Sequence, residues 1–172
     1  MVKLKIVLLV ICLLPLDIFA QKNGLSFMGV PLNGRADNFV SRLIKKNPDL
    51  KQVSTEEEDV ILLKGNFYKF SDVEITIMSE NNFEKLRNVH IIFNQNPYVY
   101  QMQFESLFSD LCVKYGKPLK KDKSNNYTSF RWILKGGMIE YSIFYNSIWL
   151  HYYPKEEATR LLNIEKRGFE DL

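Results

Sequence analysis

The chain contains two histidines, His90 and His151, each in a segment where apolar and polar residues alternate, and histidine is the side chain whose ordinary pKa lies near neutrality. Glu74 and Glu140 hold the same polar parity in the segments just before them. Pairing Glu74 with His90, and Glu140 with His151, gives two carboxylate–imidazole couples of the kind that shuttle protons or ligate a metal. The same residue types also make ordinary exposed cross-strand pairs, which contribute about 0.2 to 1 kcal/mol each. A zinc centre needs further ligands, and no third one stands at short spacing, so the cross-strand pair is the simpler expectation.

Trp149 and Tyr153, with Arg131 and His151 near them, offer a second chemistry. Aromatic rings beside a guanidinium form a platform for a sugar ring or a partner side chain, since Trp, Tyr and Arg dominate binding hot spots. The competing use of Trp149 is to pack beneath an apolar tail. Cys112 falls on an apolar helical stripe and reads as a small buried hydrophobe rather than a nucleophile. The Asn126-Tyr127-Thr128 sequon is short enough to arise by chance. The sequence has no phosphate loop, nucleophile elbow or paired-cysteine motif, so it calls for no catalytic residue, cofactor or metal.

Several elements must position these residues. Phe39, Val40, Leu43 and Ile44 predict a helix from about Arg35 to Lys46, which Pro48 ends by pushing its predecessor out of the helical region. Phe104, Leu107, Phe108, Leu111, Cys112 and Tyr115 predict a second helix over about Tyr100 to Tyr115, with Gly116 as its cap and Pro118 barring continuation. Period-two alternation predicts strands at Val60 to Phe67, Val73 to Met78 and Leu86 to Phe93, then at Tyr127 to Leu134, Met138 to Tyr145 and Ile148 to Tyr153. Gly136-Gly137 and Asn146-Ser147 read as hairpin connections, and Lys120 to Asn126 as a polar loop. Leu25 to Leu32 reads as a short pairing segment, and Lys155 to Lys166 as a closing helix with Ala158, Leu161 and Leu162 on one side.

The order helix, strand, strand, strand is thus stated twice, over about residues 25–97 and 98–172. We expect an α+β domain in which a tandem α-β-β-β repeat forms one antiparallel sheet with its helices on one face. The other sheet face, carrying Lys64, Glu74, Thr76, His90, Arg131, Glu140, Trp149, His151 and Tyr153, is then wet. This element order resembles the β-lactamase-inhibitor protein fold and the outer-membrane assembly lipoproteins that carry one such unit. The runs Phe27-Met28-Gly29-Val30-Pro31-Leu32-Asn33-Gly34, Leu63-Lys64-Gly65-Asn66-Phe67 and Lys114-Tyr115-Gly116-Lys117-Pro118 resemble small secreted proteins of unassigned function from Bacteroides-type bacteria. That resemblance implies a compartment and a fold, and no catalytic residue.

The chain has 172 residues, 46% hydrophobic and 25% charged, which is ordinary globular composition. A net charge of +3 without a dense basic block argues against nucleic acid as a partner. Met1 to Ala20 run from Lys3 and Lys5 through apolar Ile6 to Leu14 to a small residue, the order of a cleavable secretory signal. The apolar stretch rises about 13 Å as a helix, too short for a hydrocarbon layer of roughly 30 Å, so no membrane span is expected. Residues 21–172 are then one exported domain, periplasmic or extracellular, with Cys112 as its only thiol. The expected function is a non-enzymatic binding module whose open sheet face takes a protein or a glycan. The alternatives are a small secreted hydrolase using Glu140 and His151, and a structural component of the cell envelope.

Overall fold

The computed structural model describes residues 24–93, 95–124, 127–144 and 147–170. The proposed signal segment, Asn126 and the turn at Asn146 lie outside the described residues. A small hairpin of β1 (Ser26–Phe27) and β2 (Val30–Pro31) comes first. Its two-residue connection needs positive φ at both positions, and Met28 (46°) and Gly29 (77°) supply it. Helix α1 (Ala36–Lys46) follows, then β3 (Lys51–Val53), β4 (Val60–Phe67), β5 (Phe70–Glu80) and β6 (Lys85–Phe93). Helix α2 (Gln101–Tyr115), β7 (Lys120–Ser124), β8 (Tyr127–Leu134), β9 (Gly137–Phe144), β10 (Ser147–Pro154) and α3 (Lys155–Glu170) complete the order.

All eight longer strands join one antiparallel sheet in the order β3-β4-β5-β6-β10-β9-β8-β7. Each half of the chain contributes a four-stranded meander, and the last strands of the two halves meet at the centre. This makes one strand more per half than the period-two pattern predicts. The additions, β3 and β7, are the sheet's two edges. The segment read as a polar loop from Lys120 is edge strand β7, where a strand paired on one side tolerates charged residues. The β8–β9 turn is Lys135-Gly136 rather than Gly136-Gly137, since Gly137 already pairs with Leu134.

Sequence signals explain the helix ends. Asp37 lies in the first turn of α1, with Lys45 and Lys46 in the last, each sign matched to the helix dipole. Before α2, the Asn96 side chain accepts from the Tyr98 N–H at 2.9 Å, and Gly116 closes the helix at φ 81°.

Helices α1 and α2 share the back of the sheet. Phe39 and Leu43 of α1 and Phe104 and Leu107 of α2 join Leu63, Ile75, Val89, Ile91 and Leu150 in one apolar core. Aromatic rings knit the layers: Phe104 lies 4.5 Å from Phe70, Phe70 lies 4.8 Å from Phe93, and Phe27 stacks on Phe67 at 5.5 Å. Trp132, 1% exposed, donates its indole N–H to the Gly116 carbonyl and so ties β8 to the end of α2.

Helix α3 departs from the expectation that the helices gather on one face. It turns back directly after β10 and packs across the front, over β9 and β10. Ala158 and Met138 are buried there, outside the main core. Among the described residues no helix is long and apolar enough to cross a membrane.

Candidate functional site

The front face is laid out by strand register. One row across it runs Lys64, Glu74, Ile92, Trp149, Ser142, Ser129; the next runs Leu62, Thr76, His90, His151, Glu140, Arg131. Arg131, Glu140, His151 and His90 are therefore consecutive neighbours on four strands. Glu74 is not the partner of His90. It lies opposite Ile92, and its carboxylate pairs with Lys64 Nζ at 2.9 Å. Period two assigns a residue to a face but does not decide which residue stands opposite it.

The central finding is that the two histidines meet. They occupy the seam where β6 joins β10, with rings stacked at 4.0 Å and 13°. Tyr153 stacks on the other side of His151 at 5.6 Å, and Trp149 stands edge-on to His90 at 5.7 Å. His90 Nε2 and His151 Nδ1 are buried and have no hydrogen-bond partner among the described residues. Burial lowers His90 from 6.5 to about 3, with the neighbouring His151 adding to the effect, and burial lowers His151 to about 4. The pair is neutral at physiological pH.

Arg131 and Glu140 lie beneath α3, not on an open surface. Glu140 is 8% exposed, and its Oε1 accepts from Arg131 Nε at 3.1 Å and from the Tyr127 hydroxyl at 2.9 Å. Arg131 also donates to Glu165 of α3 and faces Asp122 at 3.6 Å. Burial opposes the Arg131 charge, and Glu140 and Glu165 more than offset it, so the guanidinium is held firmly protonated. The first turn of α3 is fixed in the same way: Glu157 accepts from Arg87 at 3.2 Å and from Arg160 at 2.9 Å. These two contacts, with Tyr153 and Met138 between them, make the covered part of the front a helix-docking surface. The Glu140 carboxylate is thus committed to a structural ion pair rather than poised as an acid or base for His151.

Trp149 sits one row further from these anchors than Glu140. It is half-buried, tilted against Phe144 at 6.0 Å, and Phe144 is 39% exposed. Leu62, Met78, Ile92 and Phe144 also belong to this face, beyond the polar and aromatic residues that the sequence singles out. Alternation places them there: Leu62, Met78 and Ile92 adjoin the core residues Leu63, Ile77 and Ile91, and Phe144 adjoins Ile143, which is itself 37% exposed.

Among the described residues no group of three or more His, Cys, Asp or Glu side chains is placed to hold a metal ion. Cys112 is partly buried on α2, which raises its thiol pKa and disfavours the thiolate. Comparisons of the chain with protein-family models, curated proteins and solved structures return no match.

Proposed function

We propose that this chain is an exported, non-enzymatic binding module, made of two related units of a helix and a four-stranded meander, that recognises a protein or a glycan through the part of the front face left uncovered by α3. The observation that carries this reading is Trp149. Its indole stands at the seam of the two halves, flanked by Phe144 and His90, with Ile92, Glu74 and Lys64 continuing its row toward the open edge. An aromatic anchor bordered by polar and charged groups is the usual anatomy of a binding hot spot. The binding residues in this reading are Trp149, His90 and Glu74, while Arg131, Glu140, His151 and Tyr153 support the platform from below or beside it.

Export rests on the basic, apolar and small-residue order of Met1 to Ala20. Expression in a bacterial host followed by N-terminal sequencing should give a chain starting at Gln21; a retained Met1 would contradict it. Binding is tested on a glycan array and by pull-down with wild type and Trp149→Ala. Loss of the captured ligand in that variant is expected. Capture that is indifferent to both Trp149→Ala and Phe144→Ala would overturn the reading.

A further inference from the structure

On the back of the sheet, the face opposite Trp149, α2 and the strands β8 to β10 do not close completely. A cavity of about 480 Å³ remains between them, within the size range of small-molecule sites. Its walls include Phe108, Phe130, Tyr141 and Ile148, its rim carries Tyr98, and Glu105 stands among the lining residues.

Two features give this cavity a chemical preference. The first is the set of rings. Phe108 lies 4.7 Å from Phe130 at 63° and 5.4 Å from Tyr141 at 61°, and Phe130 and Tyr141 are inclined at 60°. The rings pack edge-to-face on one another and together make one aromatic wall of the cavity, a surface that takes aliphatic and cationic groups. The second is the charge of Glu105. Its Oε1 accepts from the neutral Gln101 amide at 2.7 Å, and among the described residues it is in no ion pair. Glu105 lines the same cavity as Tyr141, and in keeping with that placement its charge adds to burial in raising the Tyr141 hydroxyl pKa. Tyr98, 77% exposed at the rim, leaves an aromatic surface free to close over an occupant.

We propose that this cavity binds a compact organic cation, an alkylammonium or quaternary ammonium group, with the Phe108, Phe130 and Tyr141 rings as its walls and Glu105 as its counter-ion. A neutral apolar ligand would gain from the walls but nothing from the carboxylate. An anion would be repelled by it. The preference is therefore for positive charge carried on a methylated or aliphatic surface.

The test uses the whole folded protein and choline as probe, with dimethylbutanol as its uncharged carbon isostere, followed by amide chemical-shift titration. Choline is expected to give saturable shifts around Phe108 and Tyr141, with the isostere about tenfold weaker. Glu105→Gln should weaken choline by a similar factor while leaving the isostere unchanged, and its thermal unfolding should match wild type because Glu105 is exposed. Equal affinity for choline and isostere, an unchanged Glu105→Gln variant, or no saturable choline shift would each overturn the proposal. Co-sedimentation with phosphatidylcholine vesicles would assign the cation to a lipid headgroup; binding of choline without co-sedimentation assigns it to a soluble ligand. Because the cavity and Trp149 lie on opposite faces, Trp149→Ala should leave the choline titration intact, so the two proposals fail independently.

Discussion

The two halves of the front face are made from the same materials and end in different states. Over β8 and β9, Arg131 and Glu140 are sealed by α3 and joined to Tyr127, Asp122 and Glu165. Over β4 and β5, a pair of the same charge types, Lys64 and Glu74, stays at the surface. The difference comes from the tail, which turns back after Pro154 over β9 and β10, reaches the first half only at the Lys85–Arg87 end of β6, and leaves Lys64 and Glu74 uncovered. Burial is what separates the two pairs energetically: a desolvated pair is costly to break because the surviving charge has no water, whereas an exposed pair exchanges its partner for solvent.

That contrast can be broken most forcefully at Arg131. Arg131→Ala leaves Glu140 and Glu165 without their shared cation and should remove about 3 kcal/mol of stability in urea unfolding. It should also raise hydrogen exchange in α3. A loss no larger than that of a surface substitution would mean α3 is not held by this network.

Acidification gives the next largest effect per residue. The two histidines are neutral when folded and gain protons more readily when unfolded, so lowering the pH favours the unfolded chain. The cost begins below the ordinary histidine value of 6.5 and grows toward the folded values of about 4 and 3. Between about pH 7 and about pH 5 each histidine should cost roughly 2 kcal/mol of stability, and the double variant His90→Phe with His151→Phe should flatten that slope. Glu157 adds a later loss: Arg160 and Arg87 lower its pKa, so its contribution is present above the ordinary value of 4.5 and disappears as pH drops through the lowered one. Thermal melts from about pH 7 to well below the ordinary carboxylate value of 4.5 check both windows.

Smaller still is Trp149→Ala, expected to cost about 1 kcal/mol because the ring is only half-buried, while abolishing ligand capture. The smallest effect belongs to Lys64→Ala on the open half, for which no measurable change in unfolding midpoint is expected, since Lys64 and Glu74 are solvent-screened. A large loss there would erase the distinction between the halves.

Local elements were legible in the sequence where one physical rule acts alone. Phe104, Leu107 and Leu111 marked the buried side of α2 through helical spacing, and Val73, Ile75 and Ile77 marked the core side of β5 through alternation. Edge strand β7 was missed because it pairs with β8 alone and Lys120 to Ser124 has no apolar alternation to reveal it. The meeting of His90 and His151 was hidden for a different reason. It depends on which strands become neighbours at the centre of the sheet, and no local pattern encodes that. Ala158, Leu161 and Leu162 likewise announced a helix with one buried side but not the layer it would cover; Arg131 and Arg87, which fix it to the front, lie far away in the chain.

The chain's two tryptophans permit the most direct test. Acrylamide quenching of Trp149 in a Trp132→Phe background, and of Trp132 in a Trp149→Phe background, reads the two sides of the sheet separately. The account predicts that Trp149 is quenched several-fold more strongly than Trp132, which is 1% exposed. Equal protection of both indoles would mean that the front face is closed over Trp149 as well, and would contradict a recognition surface there.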